Sequence, residues 1–131
     1  RTGKMGRELK VSFDGVREKN VNSLRVLILS FFPIKYSDKV YQDACIFEDF
    51  SQLAYHTDVL VGGIACRCEK TEKAAKLYIM TIGVLPAYRG CGIGSKLLNK
   101  TLDACKKDSK IQEVRWAACD LSLELFRWRQ C

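Results

Sequence analysis

A single histidine, two prolines and no apolar run long enough to cross a bilayer are the first constraints in this sequence of 131 residues. The longest apolar stretch, Val26 to Ile34, is broken by Ser30 and Pro33, so no membrane partner is expected. His56 is the only imidazole, and the cysteines at 45, 66, 68, 91, 105, 119 and 131 contain no Cys-x-x-Cys pair, so neither zinc nor another metal is expected. The first ten residues carry Arg1, Lys4, Arg7 and Lys10, with no following apolar run and small-residue cleavage site. With an odd cysteine count, that points to reduced thiols in a cytoplasmic protein, with the nucleus as a second location.

Positive charge is plentiful but not clustered. Lys and Arg exceed Asp and Glu by 22 to 15, yet no basic tract reaches five residues and no aromatic series runs beside a basic stripe. Nucleic acid is therefore not the expected partner. A nucleotide cofactor or an acidic protein surface also fits a net charge of +7. A 47% hydrophobic and 28% charged composition at this length describes one globular domain.

Periodicity predicts the elements. Leu9, Val11 and Phe13 alternate ahead of Asp14-Gly15, giving a strand over residues 8–16. Val21, Leu24, Leu27, Ile28 and Phe31 recur at helical spacing over 20–31, and Pro33 closes that helix. Ser37 and Asp38 cap a short helix to about Cys45, and two strands, 53–55 and 59–68, flank a turn at His56-Thr57-Asp58. Leu77 to Leu85 is a continuous apolar strand, expected to be central and covered on both faces. Ile93, Leu97, Leu98, Leu102 and Cys105 share one helix face, Lys106 and Lys107 suit that helix's last turn, and residues 111–117 form a further strand.

Between the apolar strand and that helix lies Arg89-Gly90-Cys91-Gly92-Ile93-Gly94. A glycine-rich turn into a helix presents backbone N–H groups and the positive helix end to an anion, with no Cβ in the way. Arg89 adds a permanent charge, and Ser95 and Lys96 occupy the first helical turn, a set that suits a pyrophosphate. The loop lacks the Gly-Lys-Ser/Thr ending of a Walker motif and comes too late in the chain to open a Rossmann unit.

The loop resembles the R/Q-x-x-G-x-G/A segment by which GNAT acetyltransferases hold the pyrophosphate of acetyl-CoA. Residues 32–39, 53–55 and 77–83 resemble the members of that family that acetylate protein N-termini, and the likeness runs from about residue 8 to residue 114 of a single domain, 1–131. The resemblance implies an α+β fold, three layers α/β/α, with a mixed, mostly antiparallel sheet flanked by helices. It implies acetyl-CoA as cosubstrate, no metal, and a peptide or protein N-terminus beginning with Met as acceptor. It also implies membership of a ribosome-associated N-terminal acetyltransferase complex.

Residue by residue, the resemblance gives Arg89, Gly90, Cys91, Gly92, Ile93, Gly94 and Ser95 to the pyrophosphate. It gives Ile82, Gly83 and Val84 to the pantetheine arm and the oxyanion, and Phe32, Pro33, Ile34, Tyr36 and Met80 to the peptide pocket. Tyr78 takes the catalytic place, in a water-mediated relay that removes the proton from an α-amino group whose pKa lies near ~8.

The resemblance fades after Val114. Where the family places a relay histidine in a Tyr-Leu-His-Val setting, this chain reads Val114-Arg115-Trp116-Ala117-Ala118, and His56, where the family has an aromatic residue, reads as an ordinary turn residue. Of the family's Asn-x-x-Ala-x-x-Phe-Tyr-x-x-x-Gly-Phe segment only Phe126 aligns within Asp120–Cys131, so the C-terminal part of the fold is expected to be incomplete. A catalytically weak acetyl-CoA-binding module, or a partner subunit of an acetyltransferase complex, is the second expectation.

Overall fold

The computed structural model describes residues 9–31, 36–46 and 50–116. In chain order they form β1 (Ser12–Gly15), α1 (Val21–Phe31), α2 (Asp38–Ile46), β2 (Gln52–His56), β3 (Val59–Lys70), β4 (Ala75–Val84), a 3₁₀ turn (Pro86–Tyr88), α3 (Ile93–Lys107) and β5 (Ile111–Trp116). The five strands lie in the order β1-β2-β3-β4-β5. All neighbours are antiparallel except β4 and β5, which run parallel because α3 carries the chain back between them.

Two clusters of buried side chains make the three layers. On one face Ile64, Cys66, Leu77, Ile79, Ile82 and Val84 meet Ile93, Leu97 and Cys105 of α3. On the other, Leu53 and Ala65 meet Leu24 and Ile28 of α1 and Tyr41 and Ala44 of α2. Leu24, Ile28, Leu77 and Leu97 are fully shielded from solvent, each contributing about 1.5–3 kcal/mol by its removal from water. The mixed, mostly antiparallel sheet between helical layers is the architecture expected from the sequence.

Local chemistry explains the boundaries. Among the described residues the first strand covers 12–15 of the 8–16 predicted, and Asn20 holds the β1–α1 link beyond its end: its Oδ1 accepts from the Arg17 N–H at 2.7 Å and its Nδ2 donates to Gly15 O at 3.0 Å. The β2–β3 hairpin turns on Thr57 and Asp58, both with positive φ (46° and 67°), the backbone that a two-residue turn of matching twist requires. Thr101, on the buried face of α3, is a polar residue that helical periodicity did not assign to the core. Its hydroxyl donates to Phe50 O at 2.7 Å, tying α3 to the segment entering β2.

The irregularity that shapes the middle of the sheet lies in the β3–β4 ladder. Cys66 faces Ile79 and Ala65 faces Thr81, so Met80 is one residue in excess, a β-bulge. The bulge moves the inward set from odd to even positions: Leu77 and Ile79 before it, Ile82 and Val84 after it, all on the α3 face. The run read in the sequence as continuously apolar is two alternating patterns out of phase.

Candidate active site

The site begins where the pairing of β4 changes. From Ala75 to Ile79 the strand has β3 on one side and β5 on the other, with Tyr78 opposite Arg115 and Ile79 opposite Trp116. Beyond Ile79, β4 pairs among the described residues with β3 alone. Leu85 donates its N–H to Val61 O at 2.8 Å, so by strand alternation Gly83 also faces β3, while Ile82 and Val84 turn their backbone groups to the β5 side. Of the three residues singled out in the sequence, Ile82 and Val84 thus present main-chain groups to that edge and Gly83 is committed to the ladder.

The chain leaves this edge through the 3₁₀ turn into Arg89, whose Nε donates to Val84 O at 2.8 Å and fastens the guanidinium beside the end of β4. Gly90 and Gly92 both adopt φ of 82°, and a Cβ built on either meets nothing within 4 Å. Backbone conformation rather than local crowding is therefore what requires glycine here, since a side chain at that φ is strained even in open space.

Gly92 caps α3 without any side-chain hydrogen bond, and the first bond of the helix runs from Lys96 N to Gly92 O at 3.0 Å. The N–H groups of Ile93, Gly94 and Ser95 therefore precede the helical ladder, aligned with the positive end of a helix of 15 residues. Ser95 is exposed and Lys96 half-buried beside them, whereas the Ile93 side chain is buried in the core and only its N–H faces the cradle. Cys91 is half-buried against the α3-side core. This is an anion seat built from main chain, with cations at its rim.

Tyr78 and Met80 are half-buried on β4, just before and at the bulge. Tyr78 lies opposite Arg67 of β3, whose guanidinium stands 5.2 Å from the centre of its ring and pairs with Glu69 at 3.1 Å. Sequence reasoning missed Arg67. Its signal was a lone basic residue in the buried run Ala65-Cys66-Arg67-Cys68, whose cross-strand partner only the register reveals.

Tyr36 is half-buried against the α1/α2-side core, the layer on that face of the sheet, whereas Phe32, Pro33 and Ile34 lie outside the described residues. His56 is not brought to Tyr78. Its Nδ1–H donates to Lys10 O at 2.9 Å and its ring lies 5.9 Å from Tyr88.

Three buried thiols are held out of the reactive thiolate form. Burial pushes Cys66 far up, raises Cys68, and takes Cys105 up to about 11, so all three stay protonated near neutrality. Among the described residues no group of three His, Cys, Asp or Glu side chains is arranged to hold a metal ion, and no helix is long and apolar enough to cross a membrane.

The model of the acetyltransferase (GNAT) family matches residues 21–127. The chain is 36% identical over 105 residues to N-alpha-acetyltransferase 50 of Danio rerio, covering 80% of this chain and 62% of that protein. It is 34% identical over 104 residues to the probable N-acetyltransferase san of Drosophila melanogaster, covering 79% of this chain and 56% of that one. The chain thus spans about three-fifths of the length of these two relatives. The structure of Arabidopsis thaliana Naa50 in complex with the bisubstrate analogue CoA-Ac-MVNAL superposes with a TM-score of 0.76 at 50% identity, over 81% of this chain and 72% of that one.

Proposed function

The chain belongs to the acetyltransferase (GNAT) family, and from that premise we propose that it transfers an acetyl group from acetyl-CoA to the α-amino group of a protein N-terminus, preferentially one beginning with Met. The observation that carries this reading is the uncapped start of α3, delivered by two left-handed glycines to the end of a strand edge that no described strand pairs. The residues fit the cosubstrate: helix N–H groups, Arg89 and Ser95 suit a pyrophosphate, and the Ile82 and Val84 edge suits an extended, amide-bearing arm. The relative from Danio rerio is an N-alpha-acetyltransferase by name, and the analogue bound to the Arabidopsis protein carries a Met-first peptide, which supports both acceptor and first residue.

When bound, acetyl-CoA supplies the acetyl group as an activated thioester. The chain's own residues bind, orient and move the proton. Backbone N–H groups on the open edge of β4 are placed to donate to an acyl oxygen. The Tyr78 hydroxyl holds a water-mediated relay that passes to solvent the proton that the ammonium form of the acceptor must lose. Tyr36 and Met80, with Phe32, Pro33 and Ile34 from the undescribed segment, form the peptide wall in this reading. A place in the cytoplasm or nucleus and in a ribosome-associated N-terminal acetyltransferase complex belongs to the same proposal, since a protein's α-amino group is first presented during synthesis.

A second reading has its own observation. The residue that β5 sets beside Tyr78 is Arg115, which cannot serve as a base and is engaged with Glu113 at 2.8 Å. That arrangement favours a module that binds acetyl-CoA and turns over weakly.

Thermal denaturation with increasing acetyl-CoA, followed by acetylation of a Met-first peptide, separates the two. A saturable rise in Tm with turnover supports the transferase, the same rise without turnover supports the module, and no rise from a folded sample sinks both. Arg89→Ala should weaken acetyl-CoA about ten-fold by removing a charge-assisted phosphate contact, and unchanged affinity would displace the cradle from this loop.

A further inference from the structure

His56, the chain's one imidazole, closes β2 at the hairpin turn on Thr57 and Asp58. Tyr55 before it packs against the α1/α2-side core, so strand alternation turns His56 to the α3 face. There its half-buried ring lies 5.9 Å from that of Tyr88 at an interplanar angle of 59°, the separation and tilt of a favourable aromatic pair. The bond from Nδ1 to Lys10 O at 2.9 Å fixes the orientation of the imidazole.

Tyr88 ends the 3₁₀ turn, Pro86–Tyr88, from which the chain enters the cradle at Arg89. That turn is slight. It has three residues, none of them buried, closed by Tyr88 N–H to Leu85 O at 2.9 Å and Arg89 N–H to Pro86 O at 3.2 Å. Just beyond it, a Cβ built on Gly90 meets nothing within 4 Å, so the loop gains no packing there. The Tyr88 side chain anchors the turn from outside, against the α3-side core and the His56 ring.

We infer that His56 is a positioning residue of the cosubstrate site: its ring braces Tyr88, and through that turn it sets where Arg89 presents its guanidinium. The inference rests on the reading of the Arg89–Ser95 loop as the pyrophosphate cradle. His56 acts before the cosubstrate arrives. Without the brace, binding must itself order the turn, which lowers affinity and leaves turnover at saturation unchanged.

Three substitutions separate the ring from the hydrogen bond. His56→Phe keeps a ring against Tyr88 and gives up the bond to Lys10 O, restoring the aromatic class that the resemblance places at this position. His56→Gln keeps a side-chain donor and gives up the ring, and His56→Ala gives up both. By calorimetry, Ala and Gln should weaken acetyl-CoA about three- to ten-fold, as expected for one aromatic pair, whereas Phe should bind as the wild type does. With a Met-first peptide the Ala and Gln variants should raise KM for acetyl-CoA and leave kcat where it was. Equal loss of affinity in all three, or none in His56→Ala, overturns the brace.

Action through Arg89 has its own readout. His56→Ala added to Arg89→Ala should weaken acetyl-CoA no further than Arg89→Ala alone, and additive losses would overturn the positioning role. In the ligand-free chain, His56→Ala should speed hydrogen exchange at the Tyr88 and Arg89 amides several-fold and leave the Ile79 amide unchanged. A wild-type chain that binds no acetyl-CoA removes the cradle itself, and the exchange still decides the brace: equal rates at Tyr88 and Arg89 in the two chains overturn it.

Discussion

The two halves of β4 differ in what their backbone is free to do. From Ala75 to Ile79 the main chain is consumed by β3 and β5, so only side chains can act there, and Tyr78 is the one placed to do so. From Met80 to Val84 the side chains of Ile82 and Val84 are buried under α3, and the main chain on the other edge is what remains for chemistry. The bulge at Met80 is the joint between the two regimes. In the proposed reaction one strand would thus act through side chains in its first half and through backbone in its second.

Mutations can break or sharpen that contrast. The largest effect belongs to the closed half: Leu77, fully buried between β3, β5 and α3, should cost about 2–5 kcal/mol of unfolding free energy as Leu77→Ala, read by urea denaturation. A loss under about 1 kcal/mol would show that the closed half is not the structural one.

Next comes Tyr78→Phe, which should lower kcat for a Met-first peptide about a hundred-fold. Acetyl-CoA affinity should stay where it was, because the proposed cofactor site lies on the other half. Equal kcat, or an equal fall in cofactor affinity, would erase the division of labour.

The smallest effect concerns the thiols beneath the closed half, where Cys66 opposes Ile79, Cys68 opposes Leu77, and Cys105 packs from α3. Cys105 titrates at about 11 in the folded chain, above an unfolded thiol near ~8.5, so the fold holds its proton more tightly. The resulting stability is fully present below pH ~8.5 and is lost as pH rises through 11, a decline on the order of 3 kcal/mol that Cys105→Ala should remove while the share from Cys66 and Cys68 remains. Denaturation curves between about pH 8 and 11 would show it, and a flat wild-type profile would contradict the burial assigned to Cys105.

Much of the fold was legible in the residues. The helical spacing of Val21, Leu24, Leu27, Ile28 and Phe31 and the Arg89–Gly94 loop each led to the observed element, because those signals are local. The bulge at Met80 was not, since a parity jump between Ile79 and Ile82 looks in sequence like an unbroken apolar run. Arg67 was hidden for a related reason: its meaning comes from the register that sets it against Tyr78. Gly90 and Gly92 were expected for closeness to a ligand, and their positive φ adds a requirement no composition could disclose.

The hairpin turn at Thr57 and Asp58 has a kinetic consequence. A β-branched residue held at a φ of 46° pays about 1–2 kcal/mol locally, and the chain recovers this only once β2 is docked in the sheet. The turn between β3 and β4 closes on its own hydrogen bonds, Thr71 N to Ala74 O at 2.8 Å and Thr71 Oγ1 to Ala74 O at 3.0 Å. The expected order of assembly puts β3 and β4 together first as the template, with β2 joining a sheet whose central strand is already in register.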